Sequence, residues 1–216
     1  MIIRKKFKFE GAHIVRDCST DRCKKSIHGH SYVVEVFLSG NKLDNGHMIY
    51  DFGLTKSTIK DIIDSFDHAY TLWSQEKKEF KQFIQTHSDR YVELPVSPSA
   101  ECYALSILFL IDKILKSTSF SNGEGNVYVK SVRVHETETG YAEAFQEDLN
   151  WFEYQLSDIK FSQAIKQDWI DPQMYEKLIA YDQNIIKEKP FVNPLIETKY
   201  EKKPATTQNK SSVQVQ

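Results

Sequence analysis

Three histidines have the residue types and spacing of a metal site. His28 and His30 open a predicted strand and are separated by Gly29, so both imidazoles point to one face. Glycine between them leaves room for a metal or another backbone to approach. His13 ends the preceding predicted strand, which would pair antiparallel with this one. Three neutral imidazoles with an open fourth position form a catalytic zinc site; alternatively, each ring only caps a strand end.

Cys23 lies five residues before His28, in the loop between these two strands, and is followed by Lys24 and Lys25. A thiol beside a divalent cation or lysines is readily deprotonated and can act as a base or a nucleophile. As a fourth metal ligand it would instead close the site and make it structural. A plain free cysteine is the third interpretation.

Two carboxylates could complete a catalytic site. Asp67 directly precedes His68, and a carboxylate can orient a histidine for proton transfer, although adjacent side chains need not face each other. Glu136 continues a strand whose even positions, Val132 and Val134, are apolar. It could bind a guanidine-like edge such as a 2-aminopyrimidinone through two parallel hydrogen bonds, or lie exposed at a strand end.

Alternation of polar and apolar residues predicts the strands that hold these side chains. Phe7 and Phe9 alternate with charged residues in a strand that ends near His13, and residues 28–39 form the second strand. Turn residues at 45–46 predict a short return strand over 47–52. A hairpin is predicted over residues 126–136 and 141–146.

Helical periodicity predicts two main helices. The first follows Leu54 and presents four apolar residues on one face: Ile59, Ile62, Ile63 and Phe66. The second begins at Ser97-Pro98, contains the apolar run 104–115 and is closed by Gly123 and Gly125. The order of elements predicts an α+β fold with an antiparallel sheet.

Two segments lie outside this pattern. The polar stretch 74–92 predicts a short surface helix around Phe80 and Phe83. Beyond residue 148, we expect helices over 161–169 and from Asp171, with Asp171 as N-cap and Pro172 as the first helical residue. Residues 203–216 lack a core-forming pattern and are predicted to be disordered.

Composition excludes several classes of protein. The chain has 216 residues and a net charge of −2, which argues against nucleic-acid binding as its main task. It contains no run of 18 apolar residues that would predict a transmembrane helix, and no signal peptide pattern. Its three cysteines are too few for a secreted disulfide scaffold, so we expect a soluble cytoplasmic protein.

Six motifs in order carry a resemblance to a known family. They are Phe9-Glu10-Gly11-Ala12-His13; Cys23 with His28-Gly29-His30-Ser31-Tyr32; Asp51-Phe52-Gly53; Phe66-Asp67-His68-Ala69-Tyr70; Ser97-Pro98-Ser99-Ala100-Glu101; and Val132-Arg133-Val134-His135-Glu136-Thr137. From about residue 2 to 148 the chain resembles the 6-pyruvoyl-tetrahydropterin synthase / 6-carboxy-tetrahydropterin synthase family. Residues 1–148 would be the catalytic domain, with an insertion over 74–92, a helical extension over 149–202 and a tail over 203–216.

The resemblance implies a T-fold (tunnelling fold), a four-stranded antiparallel sheet with two helices on one face. Three such sheets would close into a barrel, and two trimers would stack into a homohexamer with active sites at subunit interfaces. It also implies zinc on His13, His28 and His30. Cys23 would be the catalytic thiol, Asp67 and His68 its proton-relay partners, and Glu136 the anchor of the pterin ring.

The activity that the resemblance favours is a zinc-dependent 6-carboxy-5,6,7,8-tetrahydropterin synthase of queuosine (7-deazaguanine) biosynthesis, a lyase acting on 7,8-dihydroneopterin triphosphate. The alternatives are a 6-pyruvoyl-tetrahydropterin synthase and a non-catalytic pterin- or zinc-binding scaffold. A folate-pathway variant tends to replace the cysteine with glutamate, so Cys23 argues against it.

Some residues depart from the family pattern. Cys18 is a weaker rival to Cys23, and Cys102 replaces the usual asparagine near the second helix start. His135 replaces a familiar tryptophan as a packing residue, and His47 and His87 are predicted to be surface residues. We expect Trp151, Trp169 and the apolar face of 172–186 to pack outside the barrel.

Overall fold

The computed structural model describes residues 1–193. Its strands are β1 (Ile2–His13), β2 (His28–Ser39), β3 (Ala69–Trp73), β4 (Tyr91–Leu94), β5 (Thr118–Phe120), β6 (Tyr128–His135), β7 (Tyr141–Phe145), β8 (Lys160–Phe161) and β9 (Phe191–Asn193). Its α-helices are α1 (Asp21–Lys25), α2 (Thr58–Asp64), α3 (Lys78–His87), α4 (Ala100–Lys116), α5 (Gln163–Asp168) and α6 (Met174–Asp182). Short 3-10 turns cover Leu54–Lys56, Gln146–Trp151 and Leu156–Asp158. None of the described helices is long and apolar enough to span a membrane.

The main sheet has seven strands in the order β7-β6-β2-β1-β3-β4-β8. Its first four strands are mutually antiparallel, as predicted. The expected four-stranded sheet is nevertheless too small, because β3 pairs in parallel with β1, β4 in parallel with β3, and β8 antiparallel with β4. The α+β class is confirmed, and the sheet is larger than predicted.

One face of the sheet carries the core. Tyr32, Val34, Val36 and Leu38 alternate along β2 and are all buried in one cluster with the apolar faces of α2 and α4. The predicted face of α2 is confirmed, since Ile59, Ile62, Ile63 and Phe66 are buried there. This burial, not intrinsic helix propensity, stabilises a helix as short as α2.

The second helix begins later than predicted. Ser97 is not its N-cap; Ser99 caps α4 and accepts a hydrogen bond from the amide of Cys102 at 3.3 Å. Pro98 is left outside the helix with its carbonyl free for another partner. Gly123 and Gly125 do not close α4 either, since it ends at Lys116 and β5 follows.

The predicted hairpin forms as β6 and β7, and the predicted return strand over 47–52 does not form. His47 takes a positive φ of 61° in a turn, where it is exposed as predicted. The side chain of Asp44 accepts hydrogen bonds from the amides of Gly46 and Met48 at 2.8 Å each. These local bonds replace the strand pairing that the residues 47–52 would otherwise need.

The sheet face opposite the helices holds a buried carboxylate. Glu35 of β2 accepts hydrogen bonds from Arg4 at 2.6 Å and from Nε2 of His135 at 2.7 Å. Burial alone would raise the pKa of Glu35, but these two partners outweigh burial and lower it. His135 also lies 5.2 Å from the ring of Tyr141, so it both packs and makes a polar contact.

The C-terminal extension packs on the helical side of the sheet. Trp169 is buried there, and Met174, Tyr175 and Leu178 of α6 join the same core cluster. Trp151 is instead exposed, contrary to prediction. Gln173, not Asp171, is the N-cap of α6, although the carboxylate of Asp171 accepts the Gln173 amide at 3.0 Å. The predicted disorder of 203–216 falls outside the described residues.

Candidate metal centre and catalytic dyad

The β1–β2 ladder brings three imidazoles together. His13 lies directly opposite His28, and Gly11 lies opposite His30, so all three rings share one face of the sheet. One ligand nitrogen from each ring lies within 4.8 Å of the other two. Their ring centroids are 4.5 to 5.4 Å apart. This group could hold a metal ion.

Hydrogen bonds orient two of the rings. Nδ1 of His13 donates to the carbonyl oxygen of Pro98 at 2.6 Å, and Nδ1 of His28 donates to that of Ser26 at 2.9 Å. Because a carbonyl oxygen can only accept, Nδ1 carries the proton in both rings and Nε2 is left as the acceptor; in His13 the hydroxyl of Tyr32 lies 3.3 Å from Nε2. Burial, helped by His28 and His30, lowers the pKa of His13 to about 4 despite the Pro98 bond. Neutral rings with a fixed tautomer are what a metal requires, so these residues fit the implied ion.

Gly29 is required by the backbone of the neighbouring strand. A Cβ at this position would lie 2.7 Å from the carbonyl oxygen of Gly11. Of the two reasons for a glycine between His28 and His30, the structure supports close approach of another backbone. Gly29 therefore sets the distance between β1 and β2 at the point where the three rings meet.

Glu136 lies beside the metal centre. Its Oε1 is 3.7 Å from Nε2 of His13 and 3.8 Å from Nε2 of His30. The same residue lines a cavity of about 300 Å³ together with Lys6, His135 and others. Glu136 therefore stands between the histidine cluster and a small cavity at the end of the β6–β7 hairpin.

Asp67 and His68 face each other despite being adjacent in sequence. Oδ2 of Asp67 accepts a hydrogen bond from Nδ1 of His68 at 3.0 Å, and its Oδ1 accepts the amide of Glu10 at 2.8 Å. Burial tends to raise the pKa of Asp67, but the Glu10 amide, His68 and the charge of Arg90 outweigh it and lower the pKa. The ionised carboxylate fixes the His68 ring, with its other nitrogen free to exchange a proton.

The structure does not bring Cys23 into contact with this pair. Cys23 lies on α1, and its carbonyl oxygen accepts the amide of Val15 at 3.2 Å. Within residues 1–193, its Sγ makes no hydrogen bond. Cys18 is half-buried, and its thiol donates to the carbonyl oxygen of Thr20 at 3.3 Å. Neither cysteine is in a disulfide.

A pocket of about 560 Å³ connects the histidine cluster with the Asp67-His68 pair. His30 and His68 both line it, and helix α3 contributes Phe83, Ile84 and His87. His87 is exposed as predicted, but it is also part of this pocket wall, which sequence reasoning missed. Its spacing of four residues from Phe83 on one helix was the signal that places both on the same side of α3.

The sequence profile described as 6-pyruvoyl tetrahydropterin synthase matches residues 2–147. The chain belongs to the 6-pyruvoyl tetrahydropterin synthase family. The matched region contains the histidine cluster, the Asp67-His68 pair and Glu136. The resemblance read from the six motifs is thereby confirmed.

Named relatives of this family differ in how much of the chain they share. A protein of Helicobacter pylori (strain J99) named 6-carboxy-5,6,7,8-tetrahydropterin synthase is 47% identical over 184 residues, 83% of this chain and 92% of its own. A protein of the same name from Rickettsia conorii is 28% identical over 141 residues, 64% of this chain and 96% of its own. The first alignment must extend past the family region, so part of the sequence beyond residue 147 is shared with the Helicobacter protein.

One solved structure supports the fold. An uncharacterized protein from Wolinella succinogenes has a TM-score of 0.54 and 21% identity, and the match covers 68% of this chain and 98% of its own. At this identity the likeness concerns the fold alone. It covers about the same share of the chain as the family profile.

Proposed function

We propose that this protein is a zinc-dependent 6-carboxy-5,6,7,8-tetrahydropterin synthase, which converts 7,8-dihydroneopterin triphosphate and water to 6-carboxytetrahydropterin, acetaldehyde and triphosphate in queuosine biosynthesis. The observation that carries this proposal is the 47% identity to a relative of that name across 92% of the relative's length. The clustered histidines and the Asp67-His68 pair supply the chemistry that such a lyase needs.

His13, His28 and His30 would hold the zinc ion. Three nitrogen ligands leave a position open for substrate, as in catalytic zinc sites. When bound, the ion supplies a Lewis acid that polarises the side-chain oxygens of the pterin substrate and acidifies the adjacent C–H bonds. The carbonyl oxygens of Pro98 and Ser26 keep His13 and His28 in the tautomer that the ion requires.

The proton transfers are assigned to Cys23 and His68. His68 lines the same pocket as His30, so its free ring nitrogen can reach a substrate that lies against the histidine cluster. Asp67 holds the ring and stabilises its protonated form. Cys23 would act on the opposite face of the substrate, and Glu136 would bind the 2-aminopyrimidinone edge of the pterin through two parallel hydrogen bonds.

A homohexamer would complete this site. The side chain of His68 is 75% exposed, whereas proton transfer at a reactive carbon is favoured where water is excluded. A neighbouring subunit packed at the pocket would cover it and could bring a second copy of Cys23 to the substrate. The resemblance to a family of interfacial active sites favours the same arrangement.

The test is a product analysis. Purified protein, stripped with a chelator and reloaded with zinc, is incubated with 7,8-dihydroneopterin triphosphate, and the products are separated. Acetaldehyde and a 6-carboxy pterin, formed only by the reloaded protein, support the proposal. A 6-pyruvoyl product would make the protein a 6-pyruvoyl-tetrahydropterin synthase, and no turnover with zinc loaded would favour a binding scaffold.

A further inference from the structure

Arg90, at the end of the polar insertion, is bonded to the backbone around the Asp67-His68 pair. Its Nε donates to the carbonyl oxygen of Asp67 at 2.9 Å, and its Nη2 donates to that of Asp64 at 2.9 Å. The carbonyl oxygen of Arg90 in turn accepts the amide of Tyr70 at 3.1 Å. Three bonds from one residue thus reach both sides of the turn between α2 and β3.

This turn needs support because its backbone is strained. His68 has a φ of 51°, which lies in the left-handed region that residues other than glycine adopt only at an energetic cost. The amide of His68 donates to the carbonyl oxygen of Glu10 at 2.7 Å, which fixes one side of the residue to β1. Arg90 fixes the carbonyl group of Asp67, which belongs to the peptide bond between Asp67 and His68.

The C-terminal extension is attached to the same place. Asp168 forms an ion pair with Nη1 of Arg90. Nε1 of Trp169 donates to the hydroxyl of Ser65 at 2.9 Å, and the amide of Ile170 donates to the carboxylate of Asp61 at 3.0 Å. The insertion and the extension therefore meet at the end of α2, directly before the Asp67-His68 pair.

We infer that Arg90 is a positioning residue for His68, and that the extension supports it through Asp168. This inference rests on the proposed role of His68 in proton transfer. The guanidinium fork suits the task, since it reaches two carbonyl oxygens and a carboxylate at once, whereas a lysine ammonium offers a single point charge. Loss of Arg90 would free the turn, and His68 would spend less time aimed into the pocket.

Two measurements on the Arg90→Ala variant test whether Arg90 positions His68. Hydrogen–deuterium exchange of the peptide covering residues 64–70 reports the turn without any need for activity, and we expect exchange to speed up roughly tenfold, as for the loss of a charge-assisted hydrogen bond. In the product assay we expect kcat to fall about 10- to 100-fold, the effect of misplacing a catalytic group, with KM changed less than about twofold.

Related variants separate positioning from general destabilisation. Arg90→Lys should recover only part of the loss, and Asp168→Asn should give a smaller effect of the same kind. Lys113→Ala is the matched control, because it breaks another core-to-extension contact, the 2.5 Å pair with Asp182, far from the turn. It should leave kcat and the 64–70 exchange unchanged. Equal effects of Lys113→Ala and Arg90→Ala on kcat and on the 64–70 exchange would overturn the inference.

The outcome for His68 itself keeps the two proposals apart. If His68→Ala is inactive and Arg90→Ala matches the wild type in kcat and in exchange, Arg90 does not position His68, and the proposed function stands. If His68→Ala turns over normally, the proposed proton relay is wrong. Faster exchange in Arg90→Ala would then show that Arg90 holds the turn, and the inference that it positions a catalytic group would be overturned. An Arg90→Ala/His68→Ala double variant should be no slower than His68→Ala alone.

Discussion

Replacement of Gly29 by alanine should damage the metal centre through the backbone. An alanine Cβ would lie 2.7 Å from the carbonyl oxygen of Gly11, while ordinary contacts begin at 3.4 Å. The two strands must therefore separate by about 0.7 Å, because a backbone carbonyl cannot rotate aside as a side chain can. Metal–ligand distances tolerate only about 0.2 Å, so the displacement exceeds what the three histidines can absorb.

The magnitude follows from two opposing effects. Overpacking of this kind costs about 1–3 kcal/mol. Alanine also lowers the conformational entropy of the unfolded chain, which stabilises the folded state by about 0.4–1 kcal/mol. We expect the zinc-free protein to lose about 1–2 kcal/mol of unfolding free energy, or roughly 2–8 °C in Tm for a chain of this size. Zinc affinity should fall by about 10- to 100-fold, as when the orienting partners of metal ligands are lost.

The assay pairs urea denaturation of the zinc-free protein with zinc competition against a chromophoric chelator. Gly40→Ala is the matched control, since its Cβ would meet a side-chain carbon of Ile49 at 3.5 Å, an ordinary contact. Its stability should stay within about 0.5 kcal/mol and its zinc affinity should not change. A Gly29→Ala protein with wild-type stability and zinc affinity would refute the view that the Gly29–Gly11 approach sets the spacing of the histidines.

Three further predictions concern other parts of the molecule. Cys23→Ala should keep zinc and lose turnover, whereas His28→Ala should lose both; zinc loss in Cys23→Ala would make the thiol a ligand. Phe83→Ala, on the insertion helix, should raise KM about threefold or more because it removes apolar surface from the pocket wall, whereas Gln85→Ala on an exposed part of α3 should not. Ionised Glu35 has a lowered pKa, so its stabilisation is present above its unfolded pKa of about 4.3 and is lost as the pH falls through the folded value. Urea denaturation between about pH 3 and 7 should therefore show a flatter acid limb for Glu35→Gln, and an unchanged limb would contradict this account.

The parts of the fold that were predicted have local signatures. Alternation along β1 and β2 identified both strands, and an apolar face identified α2. Strand β3 was missed because Ala69–Trp73 is almost wholly buried and its continuous apolar run has no period that separates strand from helix. Its parallel pairing with β1 depends on tertiary contacts that no short segment records.

The candidate site, like the fold, could be predicted from the sequence only in part. The histidine cluster follows from strand parity, so His13, His28 and His30 could be grouped before the structure was known. Arg90 could not be found in this way, because its partners beside the Asp67-His68 pair are backbone carbonyls, and any residue type can supply a backbone carbonyl. The exposed Trp151 shows the converse: a large apolar side chain does not by itself indicate a packed one.

Two strand edges of the antiparallel half of the sheet are open, and copies of the subunit could pair there. Strand β3 covers the outer edge of β1 only at residues 11–13, so within the described chain residues 2–9 have no strand partner on that edge. The outer edge of β7 is equally open among the described strands. Among the described residues, β4 and β8 continue the sheet from β3, so they leave the rest of the β1 edge and the β7 edge unpaired. Exposed strand edges can pair with another chain, so these edges are available for the edge-to-edge assembly that the proposed barrel needs.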